Sequence, residues 1–205
     1  MKIARAGLFA LCLAALLPMP SGAESDVYTR MQRVNANLHS YTANLTVGIQ
    51  SHSFPFLSPT LEGTAYYKQP DKSAVVFETI PALANQFKKI YPQIEPPRVW
   101  PDVYDVTPVS DDGTTSTFHL VRKKNGRIDH VDATVNDESA TVSSMTYYYK
   151  DGGSVSFSQV YDNIDGNFVI KSQTGKVDIP HYNADVTSRF SNYKLNVEVP
   201  DKVFE

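Results

Sequence analysis

The sequence predicts a mainly β protein, with about ten strands in one wide antiparallel sheet and two helices. Three observations predict it. Apolar and polar residues alternate with a period of two in nearly every segment after Tyr41. Asn-Gly and Asp-Gly pairs, which accept the positive φ of tight hairpins, punctuate the joins. Helical spacing occurs in only two stretches. An open sheet of that width must curl, and its inner apolar face then needs a filling that two helices supply only in part. A cavity lined by strands and part-plugged by the helices is therefore expected.

The first residues read as a secretory signal over 1–23. Lys2 and Arg5 precede an apolar run from Ala6 to Leu17, and Ser21-Gly22-Ala23 offers small residues for cleavage before Glu24. The run is shorter than the roughly 20 residues that span a bilayer. Pro18 and Pro20 end it. Cys12, the single cysteine, lies inside that run. The expected product is therefore a soluble exported domain, 24–205, with no disulfide, no Cys-based zinc site and no thiol nucleophile.

Val27, Met31, Val34 and Leu38 form one apolar stripe, predicting a helix over 26–38 that Ser25 or Asp26 can cap. Tyr41, Ala43, Leu45, Val47 and Ile49 alternate with polar neighbours as a half-buried strand. A loop with Pro55 and Pro59 follows. In "LEGTAYYKQPDKSAVVFET" (61–79), Leu61, Gly63, Ala65 and Tyr67 share a face, which Val75 and Phe77 continue after a corner at Pro70-Asp71. Ile80–Tyr91 places Leu83 and Phe87 at helical spacing behind Pro81. The segment 92–101 holds four prolines around Trp100, the only tryptophan, and reads as extended and stiff. Strands are then expected over 103–109, 114–123, 127–135, 140–150, 154–161, 167–179 and 184–197, each antiparallel to the last in a single meander.

Composition excludes several functions. The net charge is −3, and the tight basic groups Lys88-Lys89 and Arg122-Lys123-Lys124 lack interleaved aromatics, so nucleic acid is not an expected partner. None of the five histidines stands at i, i+4 from another, and no His-Glu-x-x-His occurs, so no metal is expected. Gly-x-Ser-x-Gly is absent, and no Gly-rich loop precedes a helix to cradle phosphate. The carboxylates Asp111-Asp112, Asp129/Asp132 and Asp137-Glu138 read as solvated turns and strand faces. The expectation is a non-catalytic protein without cofactor. Aromatics are the informative class: Tyr147-Tyr148-Tyr149, Phe157, Tyr161, Phe168, Phe190 and Tyr193 fit a concave sheet holding an apolar ligand.

The order of elements resembles a known superfamily. Tyr41-x-Ala43-x-Leu45 is followed by Gly63-x-x-Tyr66-Tyr67-Lys68-x-Pro70. A closing pattern runs Phe190-x-Asn192-Tyr193-Lys194-x-Asn196, then Pro200-Asp201 and Phe204. Together these resemble the periplasmic outer-membrane lipoprotein carriers and their relatives, the LolA-like superfamily. The resemblance implies a strongly curved, incomplete antiparallel barrel of about 10–11 strands with a helical lid over an apolar cavity. It implies a monomer that takes up lipid, fatty acyl chains or the acyl groups of lipoproteins, with a membrane-protein donor or acceptor. The related alternative is a periplasmic sensor on the same fold that acts by protein–protein contact. The expected cavity residues are Leu45, Val47, Ala65, Tyr67, Val75 and Phe77, with Met145, Tyr147 and Phe157 opposite and Leu83 and Phe87 in the lid; Trp100 either seals the rim or anchors its own loop. Where the carriers place a lid-latching arginine, this chain has Gln69 beside Lys68, and Gln supplies no charged fork of donors.

Overall fold

A computed structural model describes residues 26–54, 56, 58–79 and 95–205. The signal segment over 1–23 and the inserted helix carrying Leu83 and Phe87 lie outside the described residues.

Helix α1 spans Asp26–Arg33. Ten strands follow: β1 Ser40–Ser51, β2 Thr60–Lys68, β3 Lys72–Phe77, β4 Tyr104–Asp111, β5 Thr115–Arg122, β6 Ile128–Asn136, β7 Thr141–Tyr149, β8 Ser154–Ile164, β9 Asn167–Ile179 and β10 Tyr182–Leu195. They form one antiparallel sheet in the order β3-β2-β1-β10-β9-β8-β7-β6-β5-β4, so β3 and β4 are its two edges and the sheet is not closed. This is the curved, incomplete barrel that the alternation predicts.

The topology departs from a single meander. β1 pairs along most of its length with β10, from Tyr41 opposite Leu195 to Ser51 opposite Ala184. Two hairpin series, β1–β3 and β4–β10, are thereby joined through their outermost strands. Alternation along a strand carries no information about a non-local neighbour, so this pairing was out of its reach.

Curvature has local causes. Extra residues interrupt the register at Thr42/Asn44, Pro108/Ser110 and Val160/Tyr161. Such bulges bend and twist the strand that carries them. Pro108, which has no N–H for a ladder, sits at the bulge of edge strand β4. At the β7–β8 turn, Gly153 has φ +82°, and a Cβ there would lie 2.3 Å from the Asp178 carbonyl oxygen of β9. The third strand packs so closely on the turn that only glycine fits.

The first helix is shorter than its apolar stripe. α1 ends at Arg33 because Asn35 takes the left-handed conformation, φ 59°. The Asn35 side chain then brackets the backbone of β9: its Nδ2 donates to the Phe168 carbonyl at 2.7 Å, and its Oδ1 accepts from the Phe168 N–H at 2.8 Å. Leu38 still reaches the interior through the turn that follows.

The proline-rich segment is likewise not extended throughout. Pro97–Val99 makes a 3₁₀ turn and α2 spans Trp100–Val103. Pro97 and Pro101 both fall in first-turn positions, where a missing N–H leaves no bond unmade and the fixed φ suits a helix.

The concave face carries two separate apolar clusters. One joins Met31 of α1, Trp100 and Tyr104 to Phe118, Leu120, Val131, Met145, Tyr147 and Phe157 of β5–β8. The other joins Leu45, Val47, Ile49, Leu61 and Ala65 of β1 and β2 to Val155, Val177, Ala184 and Val186 of β8–β10. The helical pieces therefore plug one half of the trough, and the other half is lined by strands.

Candidate functional site

A cavity of about 710 Å³ lies between those two clusters, within the range of about 300–1,000 Å³ usual for small-ligand sites. Its floor is built from inward positions of β1 and β2: Leu45, Val47 and Ile49 at alternate residues, and Leu61 and Ala65 on one face of β2. Phe77 and Val75 of β3 extend it to one edge. Val142 and Met145 of β7, Val169 of β9 and Phe190 of β10 form further wall. Met31, Val34 and Leu38 enter from α1 and the turn after it, and Pro96, Pro97 and Arg98 from the segment before α2.

Seven of the residues expected from strand parity line this space: Leu45, Val47, Ala65, Tyr67, Val75, Phe77 and Met145. Trp100, Tyr147 and Phe157 do not; they are buried in the packed cluster beside it. Trp100 donates from its indole N–H to the Glu95 carbonyl at 2.9 Å, so it anchors its own segment rather than a rim. Tyr148, between two inward tyrosines, points to the outer face and stacks on His130 with ring centroids 4.3 Å apart.

Polar groups on the cavity wall are largely paired with one another. Tyr161 shares its single hydroxyl proton between the Gln159 side-chain oxygen at 2.7 Å and the Val142 carbonyl at 2.9 Å, and Gln159 donates to Gln173 at 3.4 Å. The Glu95 carboxylate accepts from Arg122 at 2.5 Å and from the Tyr104 hydroxyl at 2.8 Å. Tyr41 stacks on Tyr67 at 5.3 Å and meets Tyr193 edge-on at the same distance. With those bonds made internally, the wall presents itself to a ligand as mostly apolar surface.

Burial also shifts the phenols. Desolvation pushes Tyr41 up to about 12, and raises Tyr161 and Tyr193 further. An unfolded tyrosine ionises near 10. Stability held by these neutral phenols is therefore complete below pH ~10 and is lost as pH rises through their folded values. Denaturant midpoints measured from pH ~8 to ~12 should be flat and then fall, with phenolate absorbance appearing together with unfolding. Normal titration of all tyrosines in the folded state would contradict this packing.

The position read as a lid latch keeps a polar link without charge. The Gln69 side chain donates to the Ala36 carbonyl at 3.4 Å and its oxygen lies 3.3 Å from His39 Nδ1, tying the end of β2 to the turn after α1. Lys68 instead meets Asp201 at 3.0 Å, a carboxylate it shares with Lys72.

One cluster escaped the spacing argument. His119 and His130 stand on adjacent strands, and with Asp132 they bring three possible metal-ligating atoms within 4.8 Å of one another on the outer face. Strand register, not spacing along the chain, assembles them: His119 lies opposite Asp132 and Val121 opposite His130. Each ring is already engaged, His119 Nδ1 with Asp132 at 2.8 Å and His130 Nδ1 with Asp129 at 2.9 Å. Glu95 and Arg98 were also missed as cavity residues. Their signal was available, since they are two of the few charges in a stretch otherwise given over to proline and apolar side chains.

No family model matches the sequence, and no curated protein matches it. Solved structures do match. A DUF1329 family protein from Desulfovibrio piger superposes with a TM-score of 0.65 at 15% identity, over 88% of this chain and 95% of that one. A LolA superfamily protein from Nitrosomonas europaea gives a TM-score of 0.62 at 13% identity, over 87% and 96%. A domain described as an outer membrane lipoprotein-sorting protein from Vibrio parahaemolyticus gives 0.66 at 9% identity, over 88% and 96%. The chain has the LolA-like fold.

Proposed function

We propose that this protein is a periplasmic carrier that holds lipid or acyl chains, those of lipoproteins included, in its cavity without chemically altering them. The observation that carries the reading is the unfilled half of the trough: about 710 Å³ lined by alternate residues of β1 and β2 and by the facing strands. A packed sheet protein would fill this volume with its own side chains. Burying a methylene is worth about 0.8 kcal/mol, so a chain of ~16 carbons gains on the order of 10 kcal/mol by leaving water. The LolA-like fold supports the reading. No helix among the described residues is long and apolar enough to cross a membrane. In this reading a donor and an acceptor at the membranes hand the ligand on, and the chain acts as a monomer between them.

The test is native mass spectrometry, with solvent extraction, of protein purified from its own periplasm without detergent. A stoichiometric lipid or acylated peptide is the expected result. A clean unliganded mass, with no later uptake of a fluorescent fatty acid, would overturn the carrier reading in favour of a module acting by protein contact.

A further inference from the structure

Among the described residues, the cavity wall contains one cation that no carboxylate neutralises. Arg98 lines the cavity beside Pro96 and Pro97. Its guanidinium donates to the Tyr67 hydroxyl and sits over the Tyr67 ring, 5.5 Å from the centroid. No carboxylate among the described residues pairs with it. Its Nε is buried and has no hydrogen-bond partner. The other charged groups on the wall are accounted for differently. Glu95 is held by Arg122 and Tyr104, and Asp71 is exposed at the β2–β3 turn, where water screens it.

A buried donor on a cation is costly to leave unmade. The polar groups of Gln159, Tyr161 and Glu95 on the same wall have all found partners. Arginine presents a planar fork of donors that matches the two oxygens of a carboxylate or the oxygens of a phosphate. Stacking on Tyr67 holds the guanidinium at the cavity wall, and the bond to the Tyr67 hydroxyl uses only one of its five N–H groups. Among the described residues, the site thus has an apolar body with a single cationic donor at its wall, which is the complement of an acidic amphiphile.

We propose that Arg98 binds the anionic oxygens of a ligand's head group, a carboxylate or a phosphate, while the ligand's chain fills the cavity. This rests on the acyl-binding reading and adds a selection rule to it: an acid is preferred over an uncharged amphiphile of equal chain length. Charge-assisted bonds of this kind are worth about 1.5–3 kcal/mol, so the preference is about ten-fold to a hundred-fold.

The experiment is calorimetric titration of delipidated protein with dodecanoate, dodecyl phosphate and dodecanol, repeated for Arg98→Gln and Arg98→Lys. Wild type should bind the two acids at least about ten-fold more tightly than the alcohol. Arg98→Gln should bring the acid-to-alcohol affinity ratio down to about one, with far-UV circular dichroism and the urea midpoint showing that the variant is folded. Arg98→Lys, which keeps charge without the fork, should restore part of the difference. Tight binding of only one acid would identify which oxyanion the fork fits. An acid-to-alcohol ratio near one in wild type, or an unaltered ratio in Arg98→Gln, overturns the head-group role while leaving the carrier reading standing. Failure of wild type to bind any of the three overturns both.

Discussion

Trp100→Ala is expected to lower the free energy of unfolding by about 3–5 kcal/mol. The indole is fully buried and forms the centre of the cluster between α1 and strands β5–β8, edge-on to Phe118 with centroids 6.5 Å apart. Alanine would leave a void that rigid strands on one side cannot close. It would also free the Glu95 carbonyl from its bond to the indole N–H, and so loosen the segment whose carboxylate holds Arg122 and Tyr104. Trp100→Phe keeps most of the volume and loses mainly that hydrogen bond, so its effect should be smaller, about 1–3 kcal/mol. Urea denaturation followed by far-UV circular dichroism measures both. A loss below about 1 kcal/mol for the alanine variant would mean that the α2 segment is not a structural plug.

Ala65→Phe should weaken acyl binding roughly thirty-fold with only a small change in stability. Ala65 is buried on β2, opposite Ala43 of β1 and Val75 of β3, and its side chain lines the cavity. A phenyl ring there takes space otherwise available to about three methylenes, or about 2 kcal/mol of ligand burial. Overpacking a filled core costs about 1–3 kcal/mol, and empty space beside the residue should keep the loss at the low end. Val76→Phe is the matched control: Val76 is 49% exposed on the opposite side of β3, and uptake should not change. Displacement of a fluorescent fatty acid reads both variants. Full uptake by a folded Ala65→Phe would place the ligand elsewhere.

Much of this architecture was legible from the sequence, because alternate burial is a direct consequence of the pleat. The run predicted over 167–179 coincides with β9, and those over 114–123 and 127–135 differ from β5 and β6 by one residue at each end. The inward set Leu45, Val47 and Ala65 followed from the same rule. What escaped has physical causes. The end of α1 depends on Asn35 finding the backbone of Phe168, a partner more than a hundred residues away. Tyr147 and Phe157 were legible as inward-facing but not as belonging to the plugged half of the trough, because parity gives a face and not a position along it, and Trp100 lies on no strand to which parity applies. Arg98 and Glu95 were hidden by a proline-rich context that reads as connector. Helical first turns tolerate proline, so the same residues also make a structured wall.

The pairing of β1 with β10 also sets an order of events in time. The series from β4 to β10 is stitched by short turns and can zip up locally. β1 has β10 as one of its two neighbours, and Tyr41 meets Leu195. During synthesis, Leu45, Val47 and Ile49 therefore emerge long before Val177, Ala184 and Val186, the residues that cover them. Contacts of such sequence separation close slowly, and their apolar strands stay exposed meanwhile. The half of the trough that holds the cavity is thus completed last, and a nascent chain lacking its final strand has no binding site to fill.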